Sequence, residues 1–128
     1  MILPSAVVLA ISGLRADPAV SALVGGRIST KLGSVLPAIR IQRIGGTVQT
    51  TYHDEPVIQV ECWAEDERAA DLVCRTVVDA LPNLRASYPT GRIYTYDVES
   101  GPFYSPDDAS ISTNTRYILT VRLLTTTQ

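Results

Sequence analysis

Apolar and polar positions alternate with two different periods along the chain, and the change of period divides it into elements. Leu3, Val7, Ala10, Ile11 and Leu14 recur at steps of three and four, which predicts an N-terminal helix with Pro4 in its first turn and Gly13 weakening its far end. Asp17-Pro18 starts a second, short helix, because Asp accepts a bond from the free amides of the next turn and Pro fits the first helical position. Gly25-Gly26 ends it. From Ala38 to Ile44 the period falls to two, with Ile39, Ile41 and Arg43 on the register opposite Arg40 and Gln42. Val57 to Ala64 repeats that pattern, placing Ile58, Val60, Cys62 and Ala64 on a core face and Gln59, Glu61 and Trp63 on the other.

Glu65-Asp66-Glu67 is an acidic helix start, and the helix runs to about Leu81, where Pro82 stops it. Ala69, Leu72, Val73, Thr76, Val77, Ala80 and Leu81 form its expected buried stripe. Arg68 and Arg75 each have an acid three or four positions away. Arg92 to Val98 and Thr115 to Thr125 are rich in β-formers and close the chain as two more strands. The order ααββαββ predicts an α+β fold, an α/β sandwich in which a mainly antiparallel four-stranded sheet carries its helices on one face. Two long hairpin loops are expected, Gly45 to Pro56 and Glu99 to Asn114. Tyr52 and His53 in the first, and Phe103 and Tyr104 in the second, are candidate interface anchors.

Composition narrows the function classes. The 128 residues are 45% hydrophobic and 19% charged, enough apolar material for one domain spanning 1–128 and too little charge for a disordered chain. No window reaches the roughly 18 apolar residues of a membrane span. The run from Met1 to Leu14 lacks the basic start of a secretory signal. Cys62 and Cys74 have no histidine at metal-ligand spacing, so no metal is expected and both read as free buried thiols in a reducing compartment.

The net charge of −2 removes the usual argument for sequence-specific nucleic-acid binding but conceals an asymmetry. Five basic residues stand against one acid before His53; six stand against twelve acids from His53 onward, a division of +4 and −6. Opposed halves suit association between copies, with Arg40 and Arg43 as the basic contacts; chance and solvation explain the same count. A basic sheet face of Arg40, Arg43, Arg116 and Arg122 is conceivable, although arginines on the wet side of a half-buried sheet are the simpler account.

Catalytic chemistry is sparse. His53 is the sole histidine; Asp54 and Glu55 beside it could orient an imidazole, but no serine in a strand-to-helix turn accompanies it, and Cys62 and Cys74 belong to other elements. The carboxylate groups Glu65-Asp66-Glu67 and Asp107-Asp108 read as a helix start and loop solvation. Gly25-Gly26 and Gly45-Gly46 lack the flanking residues of a phosphate loop. No catalytic residue, cofactor or metal is expected.

Four segments, DPAVSALVGGRI (Asp17 to Ile28), LPAIRI (Leu36 to Ile41), VIQVECWAEDERAADLVCRTVVDAL (Val57 to Leu81) and RYILTVRL (Arg116 to Leu123), resemble tail completion or tail terminator proteins of long-tailed bacteriophages. The resemblance implies a non-enzymatic homo-hexameric ring that caps the head-proximal end of the tail tube, stops its polymerisation and meets the head connector or a head-closure protein. It implies a place in the tail or neck of the virion, reached from the host cytoplasm, with no membrane partner and with DNA passing through the ring. Under it, Trp63 and the sheet face around Gln59 and Glu61 are expected to be covered by a neighbouring copy. Another neck or head-closure component, or a small cytoplasmic ligand-binding module or enzyme, is the alternative.

Overall fold

The computed structural model describes residues 2–106 and 115–127. Its elements are helices α1 (Ala6–Ala16) and α2 (Pro18–Val24), strands β1 (Ile28–Ser29), β2 (Ala38–Val48) and β3 (His53–Ala64), helix α3 (Glu67–Ala80) with a 3-10 turn over Leu81–Leu84, then strands β4 (Ser87–Tyr88), β5 (Gly91–Tyr104) and β6 (Thr115–Thr126). They form a mixed α+β fold around one six-stranded sheet of order β1-β2-β3-β6-β5-β4. The four long strands pair antiparallel, as expected, and β1 runs parallel to β2. The four-strand expectation therefore misses β1 and β4. Each is two residues long, too short to show any period.

Local chemistry places the starts of α2 and α3 where the sequence puts them, whereas α1 starts at Ala6, with Leu3 and Pro4 outside it because Ser5 caps the helix. The Ser5 hydroxyl accepts from the Val8 amide, Asp17 from the amides of Ala19 and Val20, and Asp66 from that of Ala69. α1 and α2 meet at 90° at Asp17, and Gly25 takes a φ of 62° that ends α2. Gly13 does not end α1. A Cβ there would overlap the Leu84 side chain and the Tyr88 hydroxyl, so this glycine is a point of close approach between α1 and the chain after α3.

All three helices cover one sheet face. Ile39 and Ile41 of β2, Ile58, Val60 and Cys62 of β3, Ile93 of β5, and Leu119, Val121 and Leu123 of β6 form one cluster with Leu9, Leu14, Val20, Val73, Cys74 and Val77 of the helices. The expected stripe on α3 is rotated. Ala70 and Cys74 enter the core, Ala69 and Thr76 are only half-buried, and Leu72 is 53% exposed. Small side chains sit where α3 comes nearest the sheet. In α1, Ala6, Leu9, Ala10 and Leu14 are buried, while Leu3, Val7 and Ile11 are half-buried at the margin.

The first expected long loop is mostly strand, and Glu99 to Tyr104 of the second is strand, while its residues 107–114 lie outside the described residues. β2 continues to Val48 and β3 begins at His53, leaving a tip of residues 49–52. β2 runs through Gly45-Gly46 because a register shift between Arg43 and Gly45 absorbs one residue. Gly46 has a φ of +93° and its Cα lies against the Glu55 and Pro56 backbone, leaving no room for a Cβ. β5 likewise runs on to Tyr104 through Gly101, at a φ of +94°. Asp107 and Asp108 lie outside the described residues.

Candidate functional site

Among the described residues the densest polar cluster lies at the centre of the helix-free sheet face, where β3 sends Gln59, Glu61 and Trp63 and where Arg40 of β2 stands directly across from Glu61. Glu61 is fully buried. Its Oε2 accepts from Arg40 Nε at 3.2 Å and Nη2 at 2.9 Å, and from Gln59 Nε2 at 3.2 Å. Its Oε1 accepts from Trp63 Nε1 at 3.2 Å and from Arg116 Nη1 of β6 at 3.4 Å. The Arg116 guanidinium also lies 5.6 Å from the centroid of the Trp63 ring and donates from Nε to the Ser105 carbonyl at 2.8 Å. One carboxylate thus holds four side chains from three strands. A buried acid is tolerable only with this degree of pairing.

This cluster corrects one expectation. Trp63 is 5% exposed within the single chain, so the chain covers Trp63 and Glu61 itself and does not leave them for a neighbour.

Arg43 sits on the opposite face. It shares the register of Ile39 and Ile41, and its guanidinium grips the buried Asp54 carboxylate with two bonds, at 2.6 and 2.9 Å, while Nε donates to the Gly45 carbonyl. Arg122 of β6 bridges Glu99 at 3.1 Å and Glu55 at 3.7 Å. Arg40, Arg43, Arg116 and Arg122 therefore do not make one basic face: Arg43 lies on the other side of the sheet, Arg122 bridges two acids, and Arg40 and Arg116 share the Glu61 carboxylate. The +4 and −6 halves of the sequence meet across β2 and β3 in two ion pairs, Arg40 with Glu61 and Arg43 with Asp54.

The four expected anchors are exposed, but on strand ends more than on loops. Tyr52 stands on the hairpin tip, 56% exposed, with its carbonyl accepting from the Thr127 amide. His53 opens β3, and its Nδ1 lies 2.9 Å from the Thr50 hydroxyl. Phe103 and Tyr104 end β5 on opposite sheet faces, and the Tyr104 ring lies 6.0 Å from that of Tyr117. The structure brings Arg40, Gln59, Glu61 and Trp63 together; it does not join them to Tyr52, His53 or Arg43.

Asp54 and Arg116 are the partners that a residue-by-residue reading misses. Strand register carries part of the signal: the β2–β3 pairing sets Arg40 opposite Glu61, and the β3–β6 pairing sets Arg116 opposite Trp63, whereas Asp54 stands opposite Val48 and not Arg43. On the helix-bearing face, burial pushes the Cys62 thiol well above its ordinary value, with the adjacent Cys74 thiol and the Glu61 charge adding to the shift. Both thiols are free and buried. No three His, Cys, Asp or Glu side chains converge as a metal-ligand group among the described residues, and no single helix there is long and apolar enough to cross a membrane.

Comparison with known proteins adds two findings. Residues 11–126 match the family model described as tail completion protein gp17. A chain in a solved structure of the virion of a native gene transfer agent particle is similar in fold, with a TM-score of 0.66, 18% sequence identity and 95% of each chain covered. No curated protein sequence matches.

Proposed function

The chain belongs to the tail completion protein gp17 family, structural proteins of the phage tail, and from that premise we propose that it forms a hexameric ring capping the head-proximal end of the tail tube. The ring stops tube growth by occupying the place where the next tube subunit would add, then offers its opposite face to the head connector or a head-closure protein. The action is steric and needs no catalytic group. The match over residues 11–126 carries this reading.

The geometry supports it in two ways. The sheet is braced at its centre by the Glu61 cluster, and large side chains stand exposed at its ends. In this reading the whole of 1–128 acts as one domain. Tyr52, His53, Phe103 and Tyr104 touch neighbours, while Arg40, Arg43, Gln59, Glu61 and Trp63 hold the strands that carry them.

Solution mass combined with negative-stain imaging of purified tail tubes tests the proposal. The expected result is a six-copy ring, free or seated at one end of the tube, and tubes that no longer lengthen once it is added. A chain that stays single at high concentration and leaves tube growth unchanged would overturn it.

A further inference from the structure

The sheet ends on two open edges. β1 covers β2 only at Ile39 and Arg40, and β4 covers β5 only at Gly91 and Arg92, with one more bond from the Ile93 amide to the Ala86 carbonyl. Among the described residues no strand lies beside Ile41 to Val48 of β2 or beside Tyr94 to Tyr104 of β5. Nearly every residue of both stretches is exposed. Rows of free backbone donors and acceptors of this kind pair readily with another chain, and proteins usually keep such edges short or charged.

Three observations identify what the edges fit. The first is direction. β2, β3, β6 and β5 alternate, so an even number of long strands leaves the two edges running opposite ways. When copies are related by rotation about an axis along the strands, the β5 edge of one meets the β2 edge of the next antiparallel. The second is charge. On the open stretches, Ile41 to Val48 carries one charge, Arg43, which Asp54 holds, whereas Tyr94 to Tyr104 carries two acids, Asp97 and Glu99, with Arg122 bridging Glu99. Pairing β5 with β5 would set its acids together, and pairing it with β2 does not. The third is length and cover. Seven residues, Tyr94 to Ser100, precede Gly101-Pro102, against eight on the open β2 edge. Ile44 and Val48 on one side, and Tyr94 and Val98 on the other, are large apolar groups between 41% and 55% exposed.

We propose that the β5 edge of one copy pairs antiparallel with the β2 edge of the next, so that successive copies share one continuous sheet. This rests on the ring reading above and specifies how its members join. The hydrogen bonds of the β2–β3 hairpin point to the backbone groups involved. The Gln49 amide donates to the His53 carbonyl, so Gln49 faces β3, and by strand alternation Val48 and Gly46 turn their N–H and C=O groups outward.

Two measurements on the full chain decide the matter: hydrogen exchange of the assembled and single-copy forms, and solution mass of Val48→Pro beside Val48→Thr. Proline at an outward amide is compatible with an edge strand but removes the donor. The expected results are that exchange in 42–48 and 94–100 slows by at least about tenfold on assembly while 53–64 is unchanged. Val48→Pro keeps the single-copy circular dichroism and loses the ring, and Val48→Thr keeps the ring. If Val48→Pro fails to fold, the exchange measurement stands alone. Rings with neither segment protected, or Val48→Pro rings as abundant as those of the unaltered chain, would overturn the edge pairing and leave the ring. An assembly stopping at two copies, or no assembly even at tube ends, would overturn both.

Discussion

On one face of the sheet Ile41, Val60, Leu119 and Val121 are covered by three helices; on the other, among the described residues, Glu61 gathers the side chains of Arg40, Gln59, Trp63 and Arg116. The first face gains its stability from apolar area removed from water, which asks for shape and little else. The second gains order from donors converging on one carboxylate, which asks for every partner at once. A whole layer of the fold buries the first face; on the second, long arms converge on one buried carboxylate. Loss of one methyl group is felt locally on the helix side, whereas loss of one charge on the bare side strands its partners.

Substitutions that remove a buried group from each face give the sharpest contrast. Glu61→Ala leaves Arg40 and Arg116 facing each other without their counter-charge and should cost about 3–5 kcal/mol in urea unfolding. The combined change Arg40→Met, Glu61→Leu and Arg116→Met should restore stability to within about 1 kcal/mol of the unaltered chain or exceed it. A triple variant as unstable as Glu61→Ala would show that the ion cluster itself, and not the stranding of its members, supports the fold. On the helix side, Leu119→Ala should cost about 2–5 kcal/mol by opening a cavity, with no partner change able to offset it.

The pH dependence separates the faces on a smaller scale. Burial raises the Cys62 thiol, so its neutral form contributes stability that is complete below the ordinary thiol value and declines as pH rises past it, when the unfolded chain ionises first. Between pH 8 and 10 the unfolding free energy should fall, and Cys62→Ala should reduce that fall by roughly 1 kcal/mol. An equal fall in the variant would place the alkaline sensitivity elsewhere. Smallest of all, Leu72→Ala on the wet side of α3 should change stability by no more than about 0.5 kcal/mol, measured by thermal unfolding. A loss near that of Leu119→Ala would mean that Leu72 is covered after all.

The two faces were not equally legible beforehand. Alternation in Val57–Ala64 assigns Ile58, Val60 and Cys62 to the core correctly, and Asp17, Asp66 and Gly25 mark helix ends through chemistry confined to a few neighbouring residues. The same alternation puts Glu61 and Trp63 on the other side and stops there, because pairing with arms from other strands depends on register. Hydrophobicity alone also favours Leu72 over Ala70 for the core of α3, whereas the closeness of helix and sheet selects the smaller side chain. Gly45-Gly46 and Gly101-Pro102 look like loop punctuation, yet β2 and β5 pass through both by shifting register. The family resemblance reached the correct family through the order of the segments, and the residues making its contacts were not contained in that order.

Those register shifts fall unevenly. β3 and β6 pair without one from His53 to Ala64, while β2 carries one and β5 carries three. A residue inserted into the central pair would turn every side chain beyond it to the wrong face, exchanging Glu61 for Val60 and breaking both layers together. The outer strands have already absorbed extra residues without that penalty. An inserted or deleted residue should therefore be tolerated better at β2 and β5 than in the middle two strands, so the segments free to vary in length are the open edges of the sheet.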